Sequence, residues 1–188
     1  MTRIIGGLVG SRKLVSPAKS TRPTSDRIRE SIFSSLDSKN AVAGAAVLDL
    51  YAGTGALGLE ALSRGAKSTI LVESNKQAAA VCIKNARLIQ DGLADEEHEV
   101  IAKVQIQTVQ KFLDSSTQIF DLVFIDPPYE ISNQEVEKNL ESLLRSLSKD
   151  ALVLVERSAR AEAIATKGYE LLETKNFGDT AIYWLKPN

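Results

Sequence analysis

The apolar run Val123-Phe124-Ile125 leads straight into Asp126-Pro127-Pro128-Tyr129, so a buried strand delivers an acid, two prolines and an aromatic ring in succession. Proline fixes its own φ and carries no N–H, and the residue ahead of a proline is held extended. The pair makes a stiff, open turn whose carbonyls no local N–H can claim. Such a turn can present the Asp126 carboxylate and the Pro127 carbonyl as acceptors facing one point, with the Tyr129 ring beside them. Two acceptors suit an amine carrying two N–H bonds, and a ring suits a flat base. An ordinary Pro-rich turn would use the same four residues, so support has to come from the rest of the chain.

A second cluster is Asp49-Leu50-Tyr51-Ala52-Gly53-Thr54-Gly55-Ala56-Leu57-Gly58. It reads as a strand end, a Gly-rich turn and the start of a helix. Gly53 and Gly55 let backbone pass close to a ligand without a Cβ in the way. Glu73, followed by Ser74, ends the next strand, where its two oxygens can accept both hydroxyl protons of a ribose. Gly53, Gly55 and Gly58 with Glu73 about 20 residues on also match the dinucleotide fingerprint, so an NAD-dependent dehydrogenase is a rival reading. Two features point away from it. An acid at Asp49 would repel a pyrophosphate but could pair with the ammonium of S-adenosylmethionine. The Asp126–Tyr129 turn ends a strand adjacent to the first one, where hydride transfer has no need of it.

These clusters must be positioned by a chain of 188 residues, the size of one ordinary domain. A β-hairpin is expected over Arg3–Val15, a loop over Ser16–Pro23, and a helix capped by Thr24 or Ser25 that buries Ile28, Ile32, Phe33 and Leu36. Strands are expected at Ala46–Leu50, Thr69–Glu73, Val104–Gln107, Leu122–Asp126 and Ala151–Glu156. Helices fall between them over Ala56–Arg64, Asn75–Gln90 (Val81, Cys82, Leu88 and Ile89 inward) and Gln134–Leu147. Asp91–Glu99 reads as an exposed acidic loop. Tyr169–Lys175 and Ala181–Lys186 read as a closing antiparallel pair. The fold class is α/β: a mostly parallel seven-stranded sheet with helices on both faces, residues 45–188, behind an N-terminal hairpin and helix, residues 1–44.

Composition narrows the chemistry. The single cysteine, Cys82, and single histidine, His98, leave no Cys/His metal cluster, no redox pair and little prospect of a Ser-His-Asp triad. Cys82 is expected in the core and His98 on the surface; no metal is expected. No apolar run is long enough to span a membrane, no signal peptide is evident, and one cysteine fits a reducing cytoplasm. Net charge is −1, yet residues 1–30 carry +5 and the remainder −6. A basic arm on an acidic body suggests a local nucleic-acid contact, with Arg3, Arg12, Lys13 and Arg22 as its candidates.

The Asp-Pro-Pro-Tyr turn resembles the motif of methyltransferases that act on amino or amide nitrogen, and the Gly-rich turn resembles motif I of Rossmann-like class I methyltransferases. The latter resemblance implies Asp49, Tyr51, Ala52, Gly53, Thr54, Gly55, Glu73, Ser74, Thr108 and Val109 around S-adenosylmethionine. Further resemblance comes from Arg3–Gly7, Gly10–Leu14, Thr21–Glu30 with its Arg-Pro-Thr stretch, Val155–Arg157 and Gly178–Thr180. Together these residues resemble the RsmD-type family of bacterial 16S rRNA guanine-N2 methyltransferases over nearly the whole chain. Gly is usual in that family where Ala18 and Ser20 stand here.

The resemblance implies methyl transfer to guanine N2 in 16S rRNA, free or in the small ribosomal subunit, with Asp126, Pro127, Pro128 and Tyr129 as the catalytic turn. A monomer is expected. A DNA adenine-N6 or protein glutamine methyltransferase remains an alternative, as does a non-catalytic RNA-binding protein on the same fold.

Overall fold

The computed structural model describes residues 2–16, 26–94 and 101–188. Helix α1 (Asp26–Ser38) leads into β1 (Ala46–Leu50), α2 (Ala56–Ser63), β2 (Ser68–Val72), α3 (Lys76–Leu93) and β3 (Ile101–Gln105). Then come α4 (Val109–Ser115), β4 (Phe120–Ile125), α5 (Asn133–Leu143), a 3-10 turn at Leu144–Ser146, and β5 (Leu147–Ser158), β6 (Tyr169–Phe177) and β7 (Thr180–Pro187). The strands form one sheet in the order β3-β2-β1-β4-β5-β7-β6. The first five run parallel and β7 lies antiparallel between β5 and β6. This is the expected mixed sheet with its closing antiparallel pair.

Alternation along the central strands builds two cores. Val47, Leu71, Leu122, Phe124, Leu154 and Ile182 pack on one face with α1, α2 and α3. Leu48, Leu50, Val72, Val123, Ile125 and Val155 pack on the other with α4 and α5. All five residues of β1 are buried, which is why it reads as an apolar run interrupted only by Asp49 rather than as an alternating pattern. Gly58 lets helix α2 lie close on the sheet: a Cβ there would lie 2.6 Å from Leu71 Cδ2 and 2.7 Å from Thr69 Oγ1.

Several boundaries differ from the sequence reading. The Arg3–Val15 hairpin is reduced to one antiparallel bridge, Arg3 with Lys13. The third strand lies earlier than Val104–Gln107, because it is an edge strand whose residues are only partly buried and leave a weak pattern. Helix α4 is an addition to the expected elements; seven residues are too few for a helical period to show. The helix expected to run to Leu147 stops at Leu143, because Leu147 pairs with Phe120 and already belongs to β5. On α3, Cys82 and Ile89 are inward as expected, whereas Leu88 is exposed and Val81 half-buried; Ala79, Asn85 and Ala86 complete the buried face. Helix α3 continues through Asp91 to Leu93, so the acidic loop is shorter than expected at its start. The Arg-Pro-Thr stretch with Arg22, the Thr24 and Ser25 caps, Ala18, Ser20 and His98 lie outside the described residues.

The N-terminal arm is packed onto the domain. Ile4, Val9 and Leu14 join the same core as Phe33, Leu36 and Leu59. Glu60, fully buried on α2, accepts the Ile5 N–H at 2.6 Å and the Gly6 N–H at 2.9 Å, and pairs with Arg64 Nε at 2.8 Å. Breaking a buried charge pair from one side costs about 3–5 kcal/mol. Glu60→Ala is expected to destabilise the protein by that order in urea melts and to speed amide exchange at Ile5 and Gly6. Unaltered exchange there would mean that apolar contacts alone hold the arm.

Candidate active site

The strand order reverses between β1 and β4, and that switch point is where open α/β sheets bind ligands. Leu50 pairs with Ile125, and the Asp126 N–H donates to Leu50 O at 3.4 Å. The turn after β1 and the turn after β4 therefore start side by side.

The first turn is wound through left-handed backbone at Tyr51 (φ 61°), Gly53 (φ 56°) and Gly55 (φ 81°). Among the described residues a Cβ at Gly53 would meet only Tyr51 O at 4.0 Å, so none of them covers the backbone there; a Cβ at Gly55 would press on Cys82 Sγ at 3.0 Å and Leu59 Cδ1 at 3.2 Å. Tyr51 lacks a glycine's freedom, and a bulky residue is strained in this region. Its hydroxyl donates to Asn139 Oδ1 on α5 at 2.6 Å, and Asn139 Nδ2 donates to Gln110 Oε1 on α4 at 3.1 Å. Burial, reinforced by the Glu135 charge, holds the phenol protonated well above its ordinary range, so it stays a donor.

The acids around the turn have distinct surroundings. Asp49 is only 1% exposed and accepts the Gly58 N–H at 2.9 Å. In this position it ties the strand end to helix α2 beneath the turn. Burial pushes its carboxyl up to about 7 against the pull of the Gly58 N–H, and the charges of Asp126 and Glu73 add to the rise. Glu73 is half-buried and accepts the Gly53 N–H at 2.9 Å and the Asn75 N–H at 2.7 Å, one on each oxygen. It bridges the ends of β1 and β2 and keeps further lone pairs for another donor.

Ala52 is buried, Thr54 half-buried and Ser74 exposed. Thr108 caps α4 by accepting the Lys111 N–H at 3.3 Å, and Val109 is buried behind it. Both lie past the carboxyl end of β3.

In the second turn Asp126 is half-buried, Pro127 buried, and Pro128 and Tyr129 exposed, the Tyr129 ring at 62%. The Pro128 carbonyl accepts the Ile131 N–H at 3.0 Å, so one of the two proline carbonyls is claimed locally after all. Among the described residues no donor reaches the Pro127 carbonyl. Arg157, buried on β5, donates from Nη2 to Ile131 O and to Asn133 Oδ1, both at 2.9 Å, and fixes the far side of the turn.

The basic candidates separate. Lys13 is exposed, and Arg3, largely exposed, lies 3.8 Å from Asp26. Arg12 donates to Leu88 O at 2.9 Å and lies against Gly92, which makes it a fastener of the arm to α3.

The family model of conserved hypothetical protein 95 matches residues 2–186. The chain belongs to that family. Ribosomal RNA small subunit methyltransferase D of Haemophilus influenzae is 33% identical over 177 residues, 94% of this chain and 89% of that protein. The protein of the same name from Escherichia coli (strain K12) is 37% identical over 155 residues, 82% of this chain and 73% of its own length. The solved structure of a hypothetical protein from Thermus thermophilus superposes with a TM-score of 0.82 at 27% identity, covering 99% of each chain. The sheet is the Rossmann-like one of class I methyltransferases, as the resemblance implies, and the putative methyltransferase yhhF from Escherichia coli, 31% identical, superposes with a TM-score of 0.80 over 99% of this chain and 97% of that one.

Sequence reasoning overlooked two buried polar side chains that assemble this site. Glu60 holds the arm. Asn85, with no exposure on α3, accepts the Val15 N–H at 2.8 Å and donates to Val15 O at 3.1 Å and to Thr54 O at 2.9 Å. It binds the end of the arm to the Gly-rich turn. Its signal was available: a polar residue at a stripe position between Cys82 and Ile89.

Asp49 gives a pH test. The folded protein keeps its proton to about pH 7 while the ordinary carboxyl releases it near 3.8. The native state thus binds the extra proton in that window, and stability falls as pH rises through it. Asp49→Asn, which cannot ionise but still accepts from Gly58, is expected to flatten the slope by up to about 1.4 kcal/mol per pH unit between pH 4 and 7. Urea melts of the two proteins over that range check it; parallel slopes would assign the ionisation elsewhere.

Proposed function

We propose that the chain transfers a methyl group from S-adenosylmethionine to the exocyclic N2 of a guanine in 16S rRNA of the small ribosomal subunit. The observation that carries this reading is the Leu50–Ile125 register, which sets the Asp-Pro-Pro-Tyr turn directly beside the Gly-rich turn. The curated relatives' names supply the substrate class.

The residues suit the methyl donor. Gly53 leaves backbone uncovered, Glu73 stands beside it with spare acceptor capacity, and Thr108 and Val109 stand past the third strand on the adenine side. Burial raises Asp49, and the charges of Asp126 and Glu73 add to the rise, so the three acids favour a ligand carrying positive charge. Bound there, S-adenosylmethionine supplies a sulfonium methyl. Asp49 acts on it from below, through the turn it holds and through its field.

An exocyclic amine is a poor nucleophile because its lone pair is delocalised into the ring. Asp126 and the Pro127 carbonyl accept its two N–H bonds, favour a pyramidal nitrogen and aim the lone pair. Positioning and preorganised acceptors account for the acceleration. No strong base is needed, since the nitrogen becomes acidic only once methylated; Asp126 then takes the proton or passes it to water. Leaving the stack costs the base a few kcal/mol, and stacking on exposed Tyr129 returns about 1–3 kcal/mol. Arg3 and Lys13 meet the phosphates, and the protein works as a monomer in the cytoplasm, where ribosomal RNA is found.

Incubation with labelled S-adenosylmethionine and rRNA, small subunits, DNA or protein, followed by nucleoside analysis, is expected to give N2-methylguanosine from small-subunit RNA. Label in adenine or in protein would redirect the assignment. Asp126→Ala is expected to lower transfer about 10²–10³-fold, the loss typical of one preorganised hydrogen-bonding group, while calorimetric affinity for S-adenosylmethionine holds. Equal loss of both would make Asp126 structural. Lys13→Glu is expected to weaken RNA binding and reduce the slope of log K against log salt by about 0.7 or more; an unchanged slope would retire the arm as a phosphate contact.

A further inference from the structure

Asp126 has an acidic neighbour. In the parallel β4–β5 ladder Ile125 faces Val155, so the next residue on each strand is an acid, Asp126 and Glu156. Side chains alternate along a strand: Ile125 and Val155 belong to the core under α4 and α5, Phe124 and Leu154 to the opposite one. Asp126 and Glu156 therefore fall on the Phe124–Leu154 side, beneath α1. There they line one cleft with Ile32 of α1, Leu57 of α2 and Ile182 of β7, and its other described walls are apolar. The cleft is small and open to solvent, so it can meet the edge of a ring but cannot enclose a nucleotide. The cofactor turn lies on the β1 side of β4 and Glu156 on the β5 side. Glu156 is therefore the acid on the side of Asp126 away from the Gly-rich turn.

We propose that Glu156 selects the base by accepting the N1–H of guanine while Asp126 and the Pro127 carbonyl hold its N2 amine; this rests on the guanine-N2 reading above. Asp126 and Pro127 alone would accept the amine of guanine, adenine or cytosine equally well. The ring position next to the amine differs among them. In guanine it is N1–H, a donor; in adenine and cytosine it is an unprotonated nitrogen, an acceptor. A carboxylate at that position gains a charge-assisted hydrogen bond from guanine and faces a lone pair in the others. Glu156 is thus a specificity-determining residue, whereas Asp126 positions any amine.

The test compares guanine with 2-aminopurine, which keeps the N2 amine but presents N1 as an acceptor. Small subunits reconstituted on 16S rRNA carrying one or the other at the methylated position serve as substrates. The unaltered protein is expected to prefer guanine by about 10²-fold or more in kcat/KM, as sites built around a substrate N–H do. Glu156→Gln, whose amide can also donate, is expected to lose at least about 10-fold on guanine while holding or gaining on 2-aminopurine. Glu156→Asp, which keeps the acceptor, is expected to retain the preference, and calorimetric affinity for S-adenosylmethionine is expected to stay level in both variants. A parallel fall on both bases in Glu156→Gln, or equal use of both by the unaltered protein, would overturn the assignment. Failure of the guanine reading itself is told apart by label appearing in another base.

Discussion

The parallel pairing of β1 with β4 is the constraint on which the rest depends. Any parallel sheet brings the carboxyl ends of its strands to one side. Only at a reversal of strand order do the two following turns diverge to opposite faces and leave a crevice between them. Here that reversal lies between Leu50 and Ile125, and the residues just past them are the left-handed turn and the Asp-Pro-Pro-Tyr turn. A one-residue slip would move Phe124 and Ile125 to the wrong cores and separate the turns. Fully buried apolar faces on both sides make such a slip costly, so hydrophobic packing far from the chemistry holds the chemistry in register.

Buried polar side chains then do what packing cannot. Asn139, Asn85, Glu60 and Arg157 are each buried, and each bonds to backbone or to a strained residue in a segment remote in sequence. A buried amide or carboxylate is costly unless its hydrogen bonds are made, so each accepts little departure from its geometry. Asn139 over-determines the left-handed Tyr51, Asn85 joins the arm to the Gly-rich turn, and Arg157 closes the loop beyond Tyr129. The two turns are rigid because other elements hold them, with little local hydrogen bonding of their own.

The electrostatics divide into a body and an arm. Acids concentrate at the carboxyl ends of β1, β2, β4 and β5, which suits the cationic donor and the N–H-rich base proposed above. The net positive charge lies in the first thirty residues, of which the described stretch 2–16 packs on α2 and α3 through Glu60 and Arg12. That separation of charge favours phosphates at the arm and disfavours them at the acidic strand ends.

Much of this was legible in the sequence. The strand–helix alternation, the closing antiparallel pair, the buried cysteine and the two motif turns follow from local patterns that the fold leaves intact, because a buried parallel strand must be apolar and a left-handed turn must favour glycine. What the sequence could not show was set by partners distant along the chain. Helix α4 is too short for a period, and β5 begins at Leu147 only because Phe120 lies beside it. Asp49 has the composition of a ligand contact, yet burial beneath Gly58 makes it a support for the turn. Arg12 has the composition of a phosphate contact, yet Leu88 O takes its guanidinium. Residue type and spacing determined which chemistry the chain can hold. Tertiary structure alone decided which charged groups hold the fold together and which acids stand side by side at the cleft, because burial and cross-strand register are properties of the packed chain.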